Sequence, residues 1–180
     1  MTTMRVRPDW SRRPAAEECN PYYLRYLQRL PDGDLLATLA RDGASTMTLL
    51  RALPAGREEH RYQPGKWSVR EVVGHVIDAE RVFGYRALAF ARADANPLPG
   101  FEEDDWARVS NAGERPLAEL CAEWEAVRAS TLTLLAGLDA AAVDRMGSAS
   151  GWKVSVRALA WLIAGHGAHH RAVLEERYLG

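Results

Sequence analysis

Cysteine is nearly absent from this chain. Cys19 and Cys121 are its only two among 180 residues. Two isolated cysteines build neither a disulfide framework nor a zinc ribbon, so a reducing, cytoplasmic setting is expected. Cys121 falls on a helix stripe and reads as a small core residue. No apolar run is long enough to span a bilayer, and Met1 to Trp10 has no apolar core of signal-peptide length. Neither sign of charge dominates. The formal net charge is −1, which gives no electrostatic case for nucleic acid or an acidic membrane surface. Arg far outnumbers Lys, and the positive charges are spread among acids, as on solvated helix faces. There is no internal repeat, no low-complexity tract, no GxGxxG or GxxxxGK[ST] phosphate loop and no serine set near a histidine as a nucleophilic triad would need. A convincing strand pattern is missing too.

What the chain does have is helical periodicity. Its apolar fraction of 47% over 180 residues suffices for one domain with a sizeable core. Residues 1–20 are polar with scattered Pro and Arg and read as an N-terminal arm that lies on the body or frays. Residues 21–180 read as a single domain. Pro21 to Leu30 suits a short amphipathic helix, closed by the turn Pro31-Asp32-Gly33. Asp34 is placed to cap a helix reaching about Leu53. Ser68-Val69-Arg70-Glu71 is a capping box, and the helix it opens extends to about Ala93, roughly 40 Å at 1.5 Å per residue. Phe101 to Glu114 is acidic, carries Trp106, and reads as a long crossover or flap. Pro116 fits the first position of the next helix, with the stripe Leu117, Leu120, Trp124, Val127, Thr131 and Leu138. Asp139 to Val154 is a second long connection, and Ser155 caps a final helix reaching Tyr178. The expected fold is all-α: a four-helix bundle with long crossover connections.

The final helix carries the chemistry. His166 and His170 are four residues apart and project from one face, the arrangement that presents two imidazoles to one ion. They interrupt the apolar row Val156, Leu159, Ile163, Val173. On the long third helix His75 also points inward. Buried imidazoles without partners are costly, and a shared metal would satisfy all three; bonds to core carbonyls or tyrosines are the plainer alternative. Three imidazoles leave positions open to water, as in catalytic rather than structural sites. Imidazole suits several metals, so ligand type does not choose among Zn, Ni, Fe or Cu. His169 lies about 100° around the helix from His170 and is a weaker ligand, placed to line the site. Asp78, three residues after His75, is the candidate catalytic carboxylate, with an ordinary surface acid as its alternative. Arg128 either enters the bundle to pair with Asp78 or Glu80 or stays at the rim. Gly165 and Gly167 flank His166 in mid-helix, where each costs about 1 kcal/mol against Ala, as close packing of a helix or a ligand requires.

The run Gly65-Lys66-Trp67-Ser68 to His75-Val76-Ile77-Asp78-Ala79-Glu80-Arg81, then Leu98-Pro99-Gly100-Phe101, then Gly165-His166 to His169-His170, resembles the DinB-like superfamily (DinB/YfiT type) of metal-dependent enzymes. The likeness covers roughly residues 20–179. It implies a four-helix bundle of unusual helix order and a divalent metal (Zn, Ni, Fe or Mn) on His75, His166 and His170. It also implies a homodimer. Some members are similar to thiol-S-transferases that use a low-molecular-weight thiol. Thiol transfer to a small-molecule substrate is therefore the leading expectation. A metal-dependent hydrolase and a non-catalytic metal-binding stress-response protein are the alternatives. No nucleic-acid or membrane partner is expected.

Overall fold

The computed structural model describes residues 6–179; residues 1–5 and 180, the ends of the expected arm and domain, lie outside the described residues. Among the described residues seven α-helices form: α1 (Pro21–Leu27), α2 (Leu35–Arg51), α3 (Val69–Ala91), α4 (Glu103–Val109), α5 (Leu117–Ala136), α6 (Ala140–Val143) and α7 (Val156–Val173). Capping sets their starts. Asp34 accepts from the Ala37 amide at 2.8 Å and Ser155 from that of Ala158 at 2.8 Å. At α3, Ser68 Oγ accepts from the Glu71 amide while Glu71 Oε2 accepts from the Ser68 amide, so two orphan donors are satisfied reciprocally. Pro116 takes the cap position rather than the first helical one. Its ψ of 134° is extended, while its carbonyl already accepts from Glu119 and Leu120.

Two segments read as irregular are ordered. The acidic stretch contains α4. The connection after α6 contains a hairpin, β1 (Met146–Ala149) against β2 (Trp152–Ser155), antiparallel with Ala149 opposite Trp152. Ser150 and Gly151 form its turn with φ of 53° and 79°, the two positive values that a tight two-residue hairpin needs. A side chain at Gly147 would strike the Phe90 ring, so β1 is seated directly on α3.

Bundle order follows from the contacts. α2 packs on α5 and α7, and α3 packs on the same two helices. The consecutive helices α2 and α3 thus occupy opposite corners, which the long connection between them allows. The arm, α1 and the hairpin close over the outer side of α7. From Val156 to Gly167 every α7 residue is buried. Arg157 within that stretch is matched by Glu18, at 3.1 Å, and Asp144.

Along the bundle axis the core splits in two. One apolar cluster gathers Leu35 and Leu39, Phe83 and Phe90, Leu135, Leu159 and Trp161. The other gathers Met47 and Leu50, Val69 to Ile77, Leu120, Trp124, Leu174 and Tyr178. Between them each bundle helix contributes polar groups: Asp42 and Thr46, His75 and Glu80, Arg128 and Thr131, His166. Arg128 enters the bundle and pairs with Glu80, not Asp78. Its Nε and Nη2 donate to the two Glu80 oxygens at 2.8 and 2.9 Å, and Nη1 donates to the Leu39 carbonyl at 2.8 Å. Trp124 Nε1 donates to Glu80 Oε2 at 2.9 Å.

The two glycines beside His166 differ. A Cβ on Gly165 would lie 2.7 Å from the Tyr26 carbonyl oxygen, whereas on Gly167 it would meet the Asp42 and Arg128 side chains at ordinary contact, 3.4 and 3.5 Å. Gly165→Ala should therefore cost about 1–3 kcal/mol in denaturant unfolding. Gly167→Ala should be neutral or gain up to about 1 kcal/mol from helix propensity. Equal costs would contradict this packing.

Candidate metal centre

α3 and α7 are the most extensively packed pair of bundle helices, and this pairing sets the site. His75 enters from the N-terminal half of α3, His166 and His170 from the C-terminal half of α7. His75 Nε2 lies 3.1 Å from His166 Nε2, and His170 Nε2 lies 3.1 Å from the same atom. Among the described residues these three form the cluster whose donor atoms all lie within 4.8 Å of one another. Two nitrogens each about 2.1 Å from one ion, at roughly 90–110°, would stand about 3.0–3.4 Å apart. The spacing fits a shared divalent ion. It fits internal hydrogen bonding less well, since one Nε2 cannot be a good partner for two neighbours of its own kind.

Burial keeps these rings neutral. His75 is pushed down to about 4 by loss of water, eased by the Asp104 carboxylate. His166 and His170 are lowered well below the ordinary value, first by burial, then for His166 by His170, His75 and His169 and for His170 by His75 and His169. Neutral imidazoles keep the lone pairs that a metal requires. Trp67 lies against His75 with ring centres 4.8 Å apart, and Phe83 and Tyr26 meet His166 edge-on at 5.9 Å. Phe83 backs the rings on one side, while Trp67 and Tyr26 reach round to the other.

The other side is open. A cleft of about 480 Å³ reaches the three histidines. Aromatic rings of Tyr22, Tyr26, Tyr62 and Trp67 line it, with the cations Arg25, Lys66 and Arg177 and the carboxylates Glu103 and Asp104. His169 lines it as well, half-buried and 5.0 Å from Tyr26 between ring centres, outside the donor cluster. Asp78 does not line it. Three residues along a helix leave a net offset of about 60°, so Asp78 sits at the edge of the His75 face, beside Arg81 rather than over the metal cluster. It lines a separate depression with Arg81, Tyr85, Phe101 and Trp106, where burial raises its carboxyl. The carboxylates that do face the cleft come from α4. Their signal was the acidic run 102–105, but nothing local says that it folds back over His75. His60 lies against Tyr178, with ring centres 6.1 Å apart, away from the donor cluster.

Residues 17–174 match the DinB superfamily, and the chain belongs to it. A protein of Geobacillus thermodenitrificans named "Putative metal-dependent hydrolase" is 30% identical over 129 residues, 68% of this chain and 72% of that protein. One of the same description from Halalkalibacterium halodurans is 27% identical, over 64% and 67%. The fold is that of YfiT from Bacillus subtilis, described as a probable metal-dependent hydrolase with an unusual four-helix bundle topology. The TM-score is 0.70 at 16% identity, over 92% of this chain and 90% of that one. No helix among the described residues is long and apolar enough to cross a membrane.

Replacing His170 by Ala should weaken metal uptake by orders of magnitude with helix content intact, whereas His169→Ala should have a smaller effect; equal losses in a metal titration would contradict the assignment. Acid should also destabilise the metal-free protein. The histidines bind protons more readily unfolded than folded, so stability falls as pH drops from about 6.5 toward 4. His75 alone accounts for roughly 3 kcal/mol of that loss. Urea unfolding of wild type and His75→Phe, compared across this range, reads it; parallel profiles would show that protonation of His75 is not the cause.

Proposed function

We propose that the protein is a metal-dependent hydrolase acting on an amide or related bond of a small substrate. One observation carries the reading: three converging neutral imidazoles stand at the floor of a cleft that Glu103 and Asp104 also line. A divalent ion, when bound there, supplies a Lewis acid and lowers the pKa of water. His75, His166 and His170 would hold it, and their number leaves room for water and substrate. General-base catalysis needs a carboxylate facing that water, and α4 brings Glu103 and Asp104 to the same cleft. Partial burial, with Asp104 and Glu102 nearby, raises the Glu103 carboxyl, which makes it a better proton acceptor. Trp67 and the tyrosines give apolar surface for the substrate's body. The names of the curated relatives support the same class.

Thiol transfer is the second reading. Arg25, Lys66 and Arg177 line the cleft and make no ion pair among the described residues, which suits a small anionic cosubstrate. The position that admits water would also admit a thiolate.

A panel of small amides and esters, assayed with metal-loaded protein with and without added thiol, separates the two. Asp104→Asn or Glu103→Gln should lower hydrolysis by about 100-fold with metal content unchanged. Turnover seen only with thiol, or unaffected by both substitutions, would overturn the hydrolase reading.

A further inference from the structure

Away from the cleft, three arginines are buried at 5–6% exposure: Arg86, Arg128 and Arg157. Arg128 has Glu80, and Arg157 has Glu18 and Asp144. Arg86 has no carboxylate among the described residues. Its Nη2 donates to the Pro99 carbonyl at 2.7 Å and to Ser150 Oγ at 3.0 Å. Its Nε and Nη1 have no acceptor among the described residues and keep contact with solvent. A buried guanidinium without an opposite charge is costly, and the cost is removed when an anion comes to it. Burial lowers the pKa of this group, and the one titratable neighbour that opposes the shift is the Tyr23 phenol.

Beside the guanidinium lies a cavity of about 100 Å³. Water takes roughly 30 Å³ a molecule, so this volume holds about three waters or one short organic acid. Tyr23, Asn20 and Ser150 give the cavity polar atoms next to Arg86, while Phe83, Leu159 and Leu162 give it an apolar end. The combination suits a charged head with a short alkyl tail better than an inorganic anion. Arg86 also borders the depression of Asp78, but the Asp78 carboxylate there repels an anion.

We propose that Arg86, with Tyr23, Asn20 and Ser150, forms a binding site for a short-chain carboxylate, distinct from the metal cleft and independent of the hydrolase reading. The carboxylate accepts a single charge-assisted bond from Nε–H or Nη1–H of Arg86, because Nε shares its fork with Nη2, which already donates to Pro99 and Ser150. The alkyl tail lies on Phe83, Leu159 and Leu162. Phe83 also packs against His166, so occupancy of the cavity touches the wall of the metal site from behind.

The test titrates acetate, propionate and butyrate at constant ionic strength, chloride replacing carboxylate, on metal-loaded and metal-stripped protein. The Arg86 Nε–Hε resonance should shift saturably. The melting temperature should rise with carboxylate concentration in both forms. Arg86→Gln should weaken binding by at least about tenfold, while His170→Ala leaves it unchanged. Because Arg86 also pins Pro99 and Ser150, that variant is backed by a measurement on wild type: contacts in nuclear Overhauser spectra between the butyrate methyl and Phe83, Leu159 and Leu162. Absence of saturable binding, meaning that water alone solvates Arg86, would overturn the proposal. So would absence of those contacts, binding that survives in Arg86→Gln, or binding lost with His170.

Discussion

Four helices enclose a layer of charged and imidazole side chains halfway along their length, and most of the architecture follows from keeping that layer satisfied. Buried polar groups are tolerated when their bonds are complete and are expensive when they are not. Glu80 is complete, taking three donors from Trp124 and Arg128. Asp42 is half complete: Oδ1 accepts from Arg171 at 2.9 Å, and Arg171 in turn reaches Glu175, while the buried Oδ2 has no partner among the described residues. The three histidines cannot complete themselves with one another. Their nitrogens converge, and burial holds them neutral, so the group that finishes the layer has to be positive and come from outside.

Helix order makes this possible. With α2 and α3 at opposite corners, both contact α7, and α7 becomes the most enclosed helix of the bundle. Its first two-thirds are sealed by the arm, α1 and the hairpin. Its last third, from Ala168, is only half-buried and faces the cleft. His166 and His170 stand at that boundary between sealed and open, where ligands are dry enough to stay neutral and close enough to solvent to exchange substrate. Gly165 marks the same boundary by letting the backbone of α1 approach α7 directly.

Local features of the chain made much of this readable. The i,i+4 histidine pair, the inward His75, the capping box at Ser68 and the caps at Asp34 and Ser155 each depend on residues close in sequence, and the bundle follows from their periodicity. The features that escaped depend on distant partners. Asp78 lies near the His75 face of α3, but Phe101 and Trp106 fold beside it and form a separate depression there, and the cleft's carboxylates arrive from α4. Burial of α7 on all sides had a local sign in the unbroken apolar run Ala158 to Ala164, but the elements that cover it, residues 6–20, α1 and the hairpin, come from elsewhere in the chain. The hairpin did have a local sign in Ser150-Gly151, but strands of four residues carry too little alternation to compete with the helical pattern around them.

Elemental analysis of tag-free protein, purified without chelator or added metal, tests the central claim most directly. A site made of three neutral, converging imidazoles should retain about one equivalent of Zn, Ni, Fe or Mn per chain. Protein that carries none of these, and takes up none on titration, would mean that the histidines satisfy one another and that the cleft has no metal chemistry.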